Sequence, residues 1–77
     1  MQRGDLGPSV AEVQSKLTEC LGAKVQSDGI FGAQTEAAVK TLQSMYGLRV
    51  TGILDYKTSL VLLEQWKKSQ ERIGDGE

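Results

Sequence analysis

A short phrase occurs twice in this chain. Asp28-Gly29-Ile30-Phe31-Gly32-Ala33-Gln34-Thr35 is echoed by Thr51-Gly52-Ile53-Leu54-Asp55-Tyr56-Lys57-Thr58, with Gly, Ile, a large apolar residue and Thr at the same places. Each copy opens a helix-like stretch. Each follows a Gly-x-x-Val segment, Gly22 to Val25 and Gly47 to Val50. Repetition on this scale means one supersecondary unit used twice, and it constrains the fold more than any other feature of the chain.

The length, 77 residues, suits one domain. So small a domain buries only about 60% of the surface its unfolded chain exposes, which leaves a thin core and little room for a deep catalytic cavity. The composition, 39% hydrophobic and 25% charged, is that of an ordinary globular domain. A net charge of -1 provides no broad attraction for nucleic acid or anionic membrane. Cys20 is the lone cysteine, so neither an internal disulfide nor a structural zinc set is expected. The chain has no histidine, hence neither the commonest general base nor the commonest metal ligand. No metal or other cofactor is expected. No apolar run approaches the ~18 residues that span a bilayer, and Met1-Gln2-Arg3-Gly4-Asp5 leads directly into structured sequence without a secretory signal. The expectation is an excised domain carrying an added Met, or a protein exported by another route.

The pattern predicts an all-α, compact three-helix domain with two quasi-repeated connecting loops. The first helix spans Pro8 to Leu21, with Pro8 at its first position. Ser9 and Glu12 form an alternative capping box. Val10, Val13, Leu17 and Leu21 make its apolar stripe, and Gly22 its left-handed stop. The second spans Ala33 to Tyr46, with Gly32 as N-cap and Thr35 bonding back toward it. Ala38, Leu42 and Met45 form its stripe, Val39 and Tyr46 widen it, and Gly47 ends it. The third spans Tyr56 to Lys68, fraying to Arg72. Asp55 is its N-cap, Leu62, Leu63 and Trp66 its inner face with Leu60 and Val61 near its start, and Lys67 and Lys68 suit its C-terminal end. Trp66 is expected to close the core against the first helix. Residues 1–72 form the domain and 73–77 a disordered tail.

The two connectors turn tightly at Asp28-Gly29 and Thr51-Gly52. Ile30 with Phe31, and Ile53 with Leu54, are expected to plug these loops into the core and order them in near-equivalent shapes. The whole reading is taken to hang on this, and Ile30 and Ile53 pointing into water, or paired in a sheet, would overturn it.

Three strings carry a family resemblance. Gly7-Pro8-Ser9-Val10-x-x-Val13-Gln14-x-x-Leu17 resembles the opening of the peptidoglycan-binding-like domain family. Asp28-Gly29-Ile30-Phe31-Gly32-x-x-Thr35-x-x-Ala38-Val39-x-x-Leu42-Gln43 is similar to its central signature, and Gly47-Leu48-Arg49-Val50-Thr51-Gly52-Ile53-Leu54-Asp55-x-x-Thr58 to its closing repeat. The resemblance covers residues 3 to about 64. It implies a non-catalytic three-helix module of the kind appended to amidases, spore-cortex lytic enzymes and phage endolysins, holding them on their polymeric substrate. A related fold serves as the propeptide of matrix metalloproteinases, with a Pro-Arg-Cys-Gly switch after the helices. Here Cys20 lies inside the first helix and precedes Leu21-Gly22, so that reading fails. The chain departs from the family pattern at Val13, where Leu is most frequent, and at Thr51 and Asp55, where Asp and Gly are common. Asp55 adds a carboxylate beside the third helix.

Candidate ligand contacts are the polar and aromatic residues near the loops. Gln14 and Gln43 occupy matching places in the first two helices, and Lys24 and Arg49 each precede a Val. An amide and a cation displayed near a helix N-terminus suit a glycan N-acetyl group and a stem-peptide carboxylate. The alternative for these residues is a solvated face or a helix–turn hydrogen bond. Tyr46 and Tyr56 offer rings for stacking on a sugar, Tyr56 being the more exposed candidate and Tyr46 a semi-buried one. Asp28 and Asp55, at the turn and the cap, complete the set. Cys20 reads as a small buried hydrophobe with no base to activate it.

These features lead to non-catalytic binding of bacterial cell-wall peptidoglycan, through glycan strand or stem peptide, by a monomeric module. It would target an attached or partner hydrolase in the wall, extracellular or periplasmic. The alternative is a protein-interaction module that uses the same fold to dock a partner domain, favoured if apolar surface around Trp66 and Leu63 is exposed. Neither an enzyme, given scattered acids and no base, nor a DNA-binding domain, given unclustered cations, fits as well.

Overall fold

A computed structural model of the chain describes residues 1–22 and 25–74, the last five of these by backbone alone. Three helices follow in order: α1 (Pro8–Leu21), α2 (Ala33–Met45) and α3 (Tyr56–Gly74). Each packs against the other two. Among the described residues no helix is long and apolar enough to cross a membrane.

Helix α1 starts as its first turn dictates. Gly7 is the N-cap, Pro8 sits within the first turn, and no capping side chain is used, so the Ser9–Glu12 box does not form. Gly22 closes the helix in the left-handed conformation, its N–H donating to Thr18 O at 2.9 Å. Helix α2 ends in a Schellman arrangement. Gly47 takes φ 69°, and the Leu48 N–H reaches back to Gln43 O at 2.8 Å. Asp55 caps α3 with Oδ1, accepting from the Thr58 N–H at 2.8 Å. Helix α3 runs past the expected end at Lys68, as far as Gly74. Lys67 and Lys68 are therefore interior to it, and Lys68 pairs with Glu64 at 3.9 Å. Ile73 and Gly74 belong to this helix rather than to a disordered tail, and residues 75–77 lie outside the described residues.

The core draws on all three helices and both loops. Val10 and Leu17 come from α1, Ala38, Val39 and Leu42 from α2, and Leu62 from α3, while the loops add Val25, Phe31 and Leu54. Val13, Cys20, Leu21 and Val61 pack around it. Burial pushes the Cys20 thiol above its ordinary value, with the Glu19 carboxylate adding to the effect. Trp66 is half-buried and folds onto α1. Its indole N–H donates to Glu19 Oε2 at 2.8 Å, and the Lys16 ammonium lies 5.2 Å from the ring centroid.

Several expected core positions face water instead. Met45 is 58% exposed, and Tyr46, Leu60 and Leu63 are also exposed, because each helix of so small a domain buries only a narrow stripe against a thin core. The loop anchors divide in the same way. Phe31 and Leu54 are buried, but Ile30 is 53% and Ile53 42% exposed. The extended backbone through each pair sends successive side chains to opposite faces. The two isoleucines therefore do not plug the loops, and something else must order them.

That role falls to two buried glutamines. Gln14 Nε2 donates to Asp28 Oδ1 (3.1 Å), Ile30 O (2.8 Å) and Thr35 Oγ1 (2.9 Å), and its Oε1 accepts the Gly29 N–H at 3.0 Å. Gln43 repeats the pattern on the second loop. Its Nε2 donates to Thr51 Oγ1 (3.2 Å), Ile53 O (3.0 Å) and Thr58 Oγ1 (3.1 Å), and its Oε1 accepts the Thr51 and Gly52 N–H groups at 2.9 and 3.0 Å. Thr35 is thus an acceptor for Gln14 rather than a cap for its own helix.

The turn glycines adopt near-identical conformations, φ 76° at Gly29 and 79° at Gly52, which an L side chain rarely accepts. A Cβ at Gly29 would also come within 3.1 Å of Gly7 O. The N-terminal segment lies between the loops and bonds to both. Gly7 N donates to Gly29 O and Phe31 N to Asp5 O, each at 2.9 Å, around an antiparallel bridge between Leu6 and Ile30. Leu54 N donates to Met1 O at 2.7 Å.

Two consequences are measurable by urea unfolding. Phe31→Ala should cost about 3–5 kcal/mol, the usual range for removing a buried ring, whereas Ile30→Ala should cost about 1 kcal/mol or less given its exposure. Equal costs would contradict this division of labour. Gln43→Met keeps the side-chain volume but strands the loop's N–H and hydroxyl groups, and should cost about 2–4 kcal/mol. A near-neutral result would show that the amide does not hold the loop.

Candidate functional site

The two loops and the helices that follow them enclose two shallow concavities. The first, about 270 Å³, is lined by Gln14, Gln26, Asp28, Ile30, Gly32, Ala33, Gln34 and Thr35. The second, about 210 Å³, is lined by Gly47, Leu48, Arg49, Asp55, Lys57 and Thr58. They are quasi-equivalent. Counted from the turn residues Asp28 and Thr51, Gln26 corresponds to Arg49, Gly32 to Asp55, Gln34 to Lys57 and Thr35 to Thr58.

The candidate residues distribute unevenly over this surface. Asp28 lies at the first concavity and Arg49 and Asp55 at the second. Tyr56, next to Asp55, is 77% exposed, and Tyr46 is 40% exposed at the end of α2. Gln14 and Gln43 are not displayed. They are 1% and 0% exposed and engaged in the loops, so the helix–turn hydrogen bond is their observed state. Lys24 lies outside the described residues. The two Val residues named with this pair differ, Val25 being buried and Val50 52% exposed. Gln26, Gln34 and Lys57 escaped the sequence reading. The repeated phrase held the signal for them, since aligning the two copies from the turn puts Gln26 opposite Arg49 and Gln34 opposite Lys57.

The electrostatics follow from local hydrogen bonds. The Ile30 backbone N–H, helped by the Gln14 amide, holds the Asp28 carboxyl below the usual carboxylate range. The Thr58 backbone N–H, then its hydroxyl, does the same for Asp55, and Lys57 adds a smaller pull. Both groups stay ionised at neutral pH. Thr51 replaces an Asp of the first loop without loss of the turn, because Thr51 Oγ1 accepts the Ile53 N–H at 3.1 Å as Asp28 Oδ1 accepts that of Ile30 at 2.9 Å. Among the described residues no group of three His, Cys, Asp or Glu side chains could hold a metal ion.

A carboxyl with a lowered folded pKa stabilises the fold above its unfolded value, about 3.9, and that contribution fades as pH falls through the folded value. The melting temperature should therefore be flat from about pH 7 to 5 and decline below about pH 4. In the Asp28→Asn/Asp55→Asn double variant the acid decline should be shallower. An unchanged acid slope in thermal melts would refute the contribution.

Comparison with known proteins places this geometry in a family. Residues 7–62 match the family model described as a putative peptidoglycan binding domain. The chain is 33% identical over 76 residues to two spore cortex-lytic enzymes of Bacillus cereus, covering 99% of this chain and 29% of each enzyme. It thus spans less than a third of the length of these relatives. The crystal structure of the SleB N-terminal domain superposes with a TM-score of 0.81 at 35% identity, covering 86% of this chain and 90% of that one. What matches is a binding-domain model and not a catalytic one, and the chain belongs to the peptidoglycan-binding domain family.

Proposed function

We propose that this chain binds cell-wall peptidoglycan through the surface formed by its two loop concavities, and so holds a wall-lytic enzyme, attached or associated, on its polymeric substrate. The observation that carries this reading is the pair of quasi-equivalent concavities, braced from inside by Gln14 and Gln43, in a chain of this family. Two similar sites in one small domain suit a polymer whose chemical groups recur along its length. Asp28, Arg49, Asp55 and Tyr56 from the candidate set, with Gln26, Gln34 and Lys57, are the contact residues. Tyr56 offers an exposed ring for a sugar face. Gln14 and Gln43 act by positioning the loops.

Both concavities are smaller than the roughly 300–1,000 Å³ of a drug-sized pocket, so affinity per module is weak. Tethering supplies the remainder. Once one contact forms, a linked enzyme stays at high local concentration on the wall. The likeness to spore cortex-lytic enzymes supports an attached hydrolase and a place at the wall or cortex.

The protein-docking alternative has one observation in its favour. Leu60 and Leu63 are exposed beside a third concavity on α3, of about 430 Å³, shared with Glu64 and Lys67. Trp66 does not join that patch, since it is tied to Glu19 on α1.

Purified sacculi should retain the chain in a low-salt pull-down well above an unrelated domain of similar size and charge. Retention no better than the control would exclude wall binding, and a Leu60→Ser/Leu63→Ser variant retained like wild type would keep the Leu60–Leu63 patch out of the contact.

A further inference from the structure

The two concavities share a backbone frame and differ in charge. The turn glycines have matching φ angles, and the glutamines that brace the loops make matching bonds. Position for position, the neutral Gln26 and Gln34 of the first concavity become the cations Arg49 and Lys57 of the second. The first is left with one ionised group, the Asp28 carboxylate. The second has two cations against one carboxylate, in a chain whose net charge is -1.

These cations are available. Among the described residues Arg3, Lys16 and Lys68 each lie within ion-pair distance of a glutamate, whereas no such pair forms at Arg49 or Lys57. Asp55, which lines the same concavity, caps α3 through Oδ1 and feels a minor pull from Lys57, so one carboxylate offsets two cations and a net positive charge remains. A guanidinium fork beside an ammonium suits a carboxylate ligand, which accepts two parallel N–H bonds from the first and a point charge from the second. The first concavity would repel the same ligand through Asp28.

We infer that the second concavity is the carboxylate-binding part of the wall-binding surface, with Arg49 and Lys57 as the specificity-determining pair. This inference rests on the peptidoglycan reading above. In peptide-bearing strands the sugars present neutral hydroxyl and N-acetyl groups, because the muramic lactyl carboxyl is consumed in the amide to the stem peptide, and the free carboxylates come from the stem peptides. The second concavity therefore reads peptide, and it gives the bound module a direction relative to the polymer that two identical sites would not.

The test is an NMR titration with a disaccharide–pentapeptide muropeptide, with the same compound amidated at its free carboxyls, and with N-acetylglucosamine oligomers, which carry no carboxyl and should leave the Arg49 and Lys57 amides unshifted. Wild type should shift at the Arg49, Lys57 and Thr58 amides with the first compound. Amidation should weaken binding about three- to tenfold, the size that two exposed charge contacts reach, and raising the salt should weaken the acidic compound more than the amidated one. The Arg49→Gln/Lys57→Gln variant puts the two glutamines of the first concavity at the matching places of the second. It should melt like wild type, since neither side chain makes an ion pair with the described residues, and it should no longer distinguish the two muropeptides. Equal binding of both muropeptides by wild type, or shifts centred on Gln26 and Gln34 instead, would overturn the carboxylate assignment while sacculus retention leaves wall binding standing. Failure of wild type to be retained on sacculi would remove wall binding, and this inference with it.

Discussion

A primary amide carries two N–H hydrogens and a carbonyl oxygen, and sealing such a group from water without partners costs about 1–3 kcal/mol. Gln14 and Gln43 are sealed, and both are fully occupied. Each points from a helix into the turn of a neighbouring loop and holds a backbone carbonyl and two side-chain oxygens, with one backbone N–H at Gln14 and two at Gln43. Three acceptors meet each NH2 group, so at least one hydrogen is shared. The loop has little choice of conformation under such a constraint. Its turn must place an N–H and a carbonyl on the same amide, which requires the positive φ that Gly29 and Gly52 supply.

The rest of the module depends on this arrangement. A 77-residue chain has a thin core, and segments as long as these two connectors would otherwise lie loose on its surface. The amide brace, with Phe31 and Leu54 buried beneath it, makes the connectors part of the core. The N-terminal segment adds backbone bonds to both loops. With the loops rigid, the hollows between them and the next helix are pre-formed, and a ligand need not bear the entropy of ordering them.

Using the unit twice separates frame from chemistry. Positions that build the frame are kept or replaced by an equivalent acceptor, as Thr51 stands for Asp28 and Thr58 for Thr35. Lining positions are free to differ, and Gln26 and Gln34 become Arg49 and Lys57. One addition to the frame is Asp55, which caps α3 where Gly32 leaves α2 without a side-chain cap. The same residue gives the second concavity a carboxylate, so the local stability of the helix and the electrostatics of the site are set together.

Much of this was legible in the chain itself. Helical spacing, Pro8, the stops at Gly22 and Gly47 and the Asp55 cap are local signals, and they located the three helices and the repeat because each acts within a turn or two of chain. The resemblance led to the same family that the comparisons show. Tertiary structure decided what local pattern does not encode. Which of Ile30 and Phe31 turns inward is settled by tertiary packing, and the amides take over the loop-ordering role expected of the isoleucines by bonding to the Ile30 and Ile53 carbonyls. Gln14 and Gln43 look like any surface glutamine in sequence, because burial of an amide is set by partners far along the chain. The pairing of Gln26 with Arg49 is readable by aligning the two copies from the turn, but that these positions line two comparable concavities, and hence the contrast between them, appears only in the folded chain, since charge acts through the distances that folding creates.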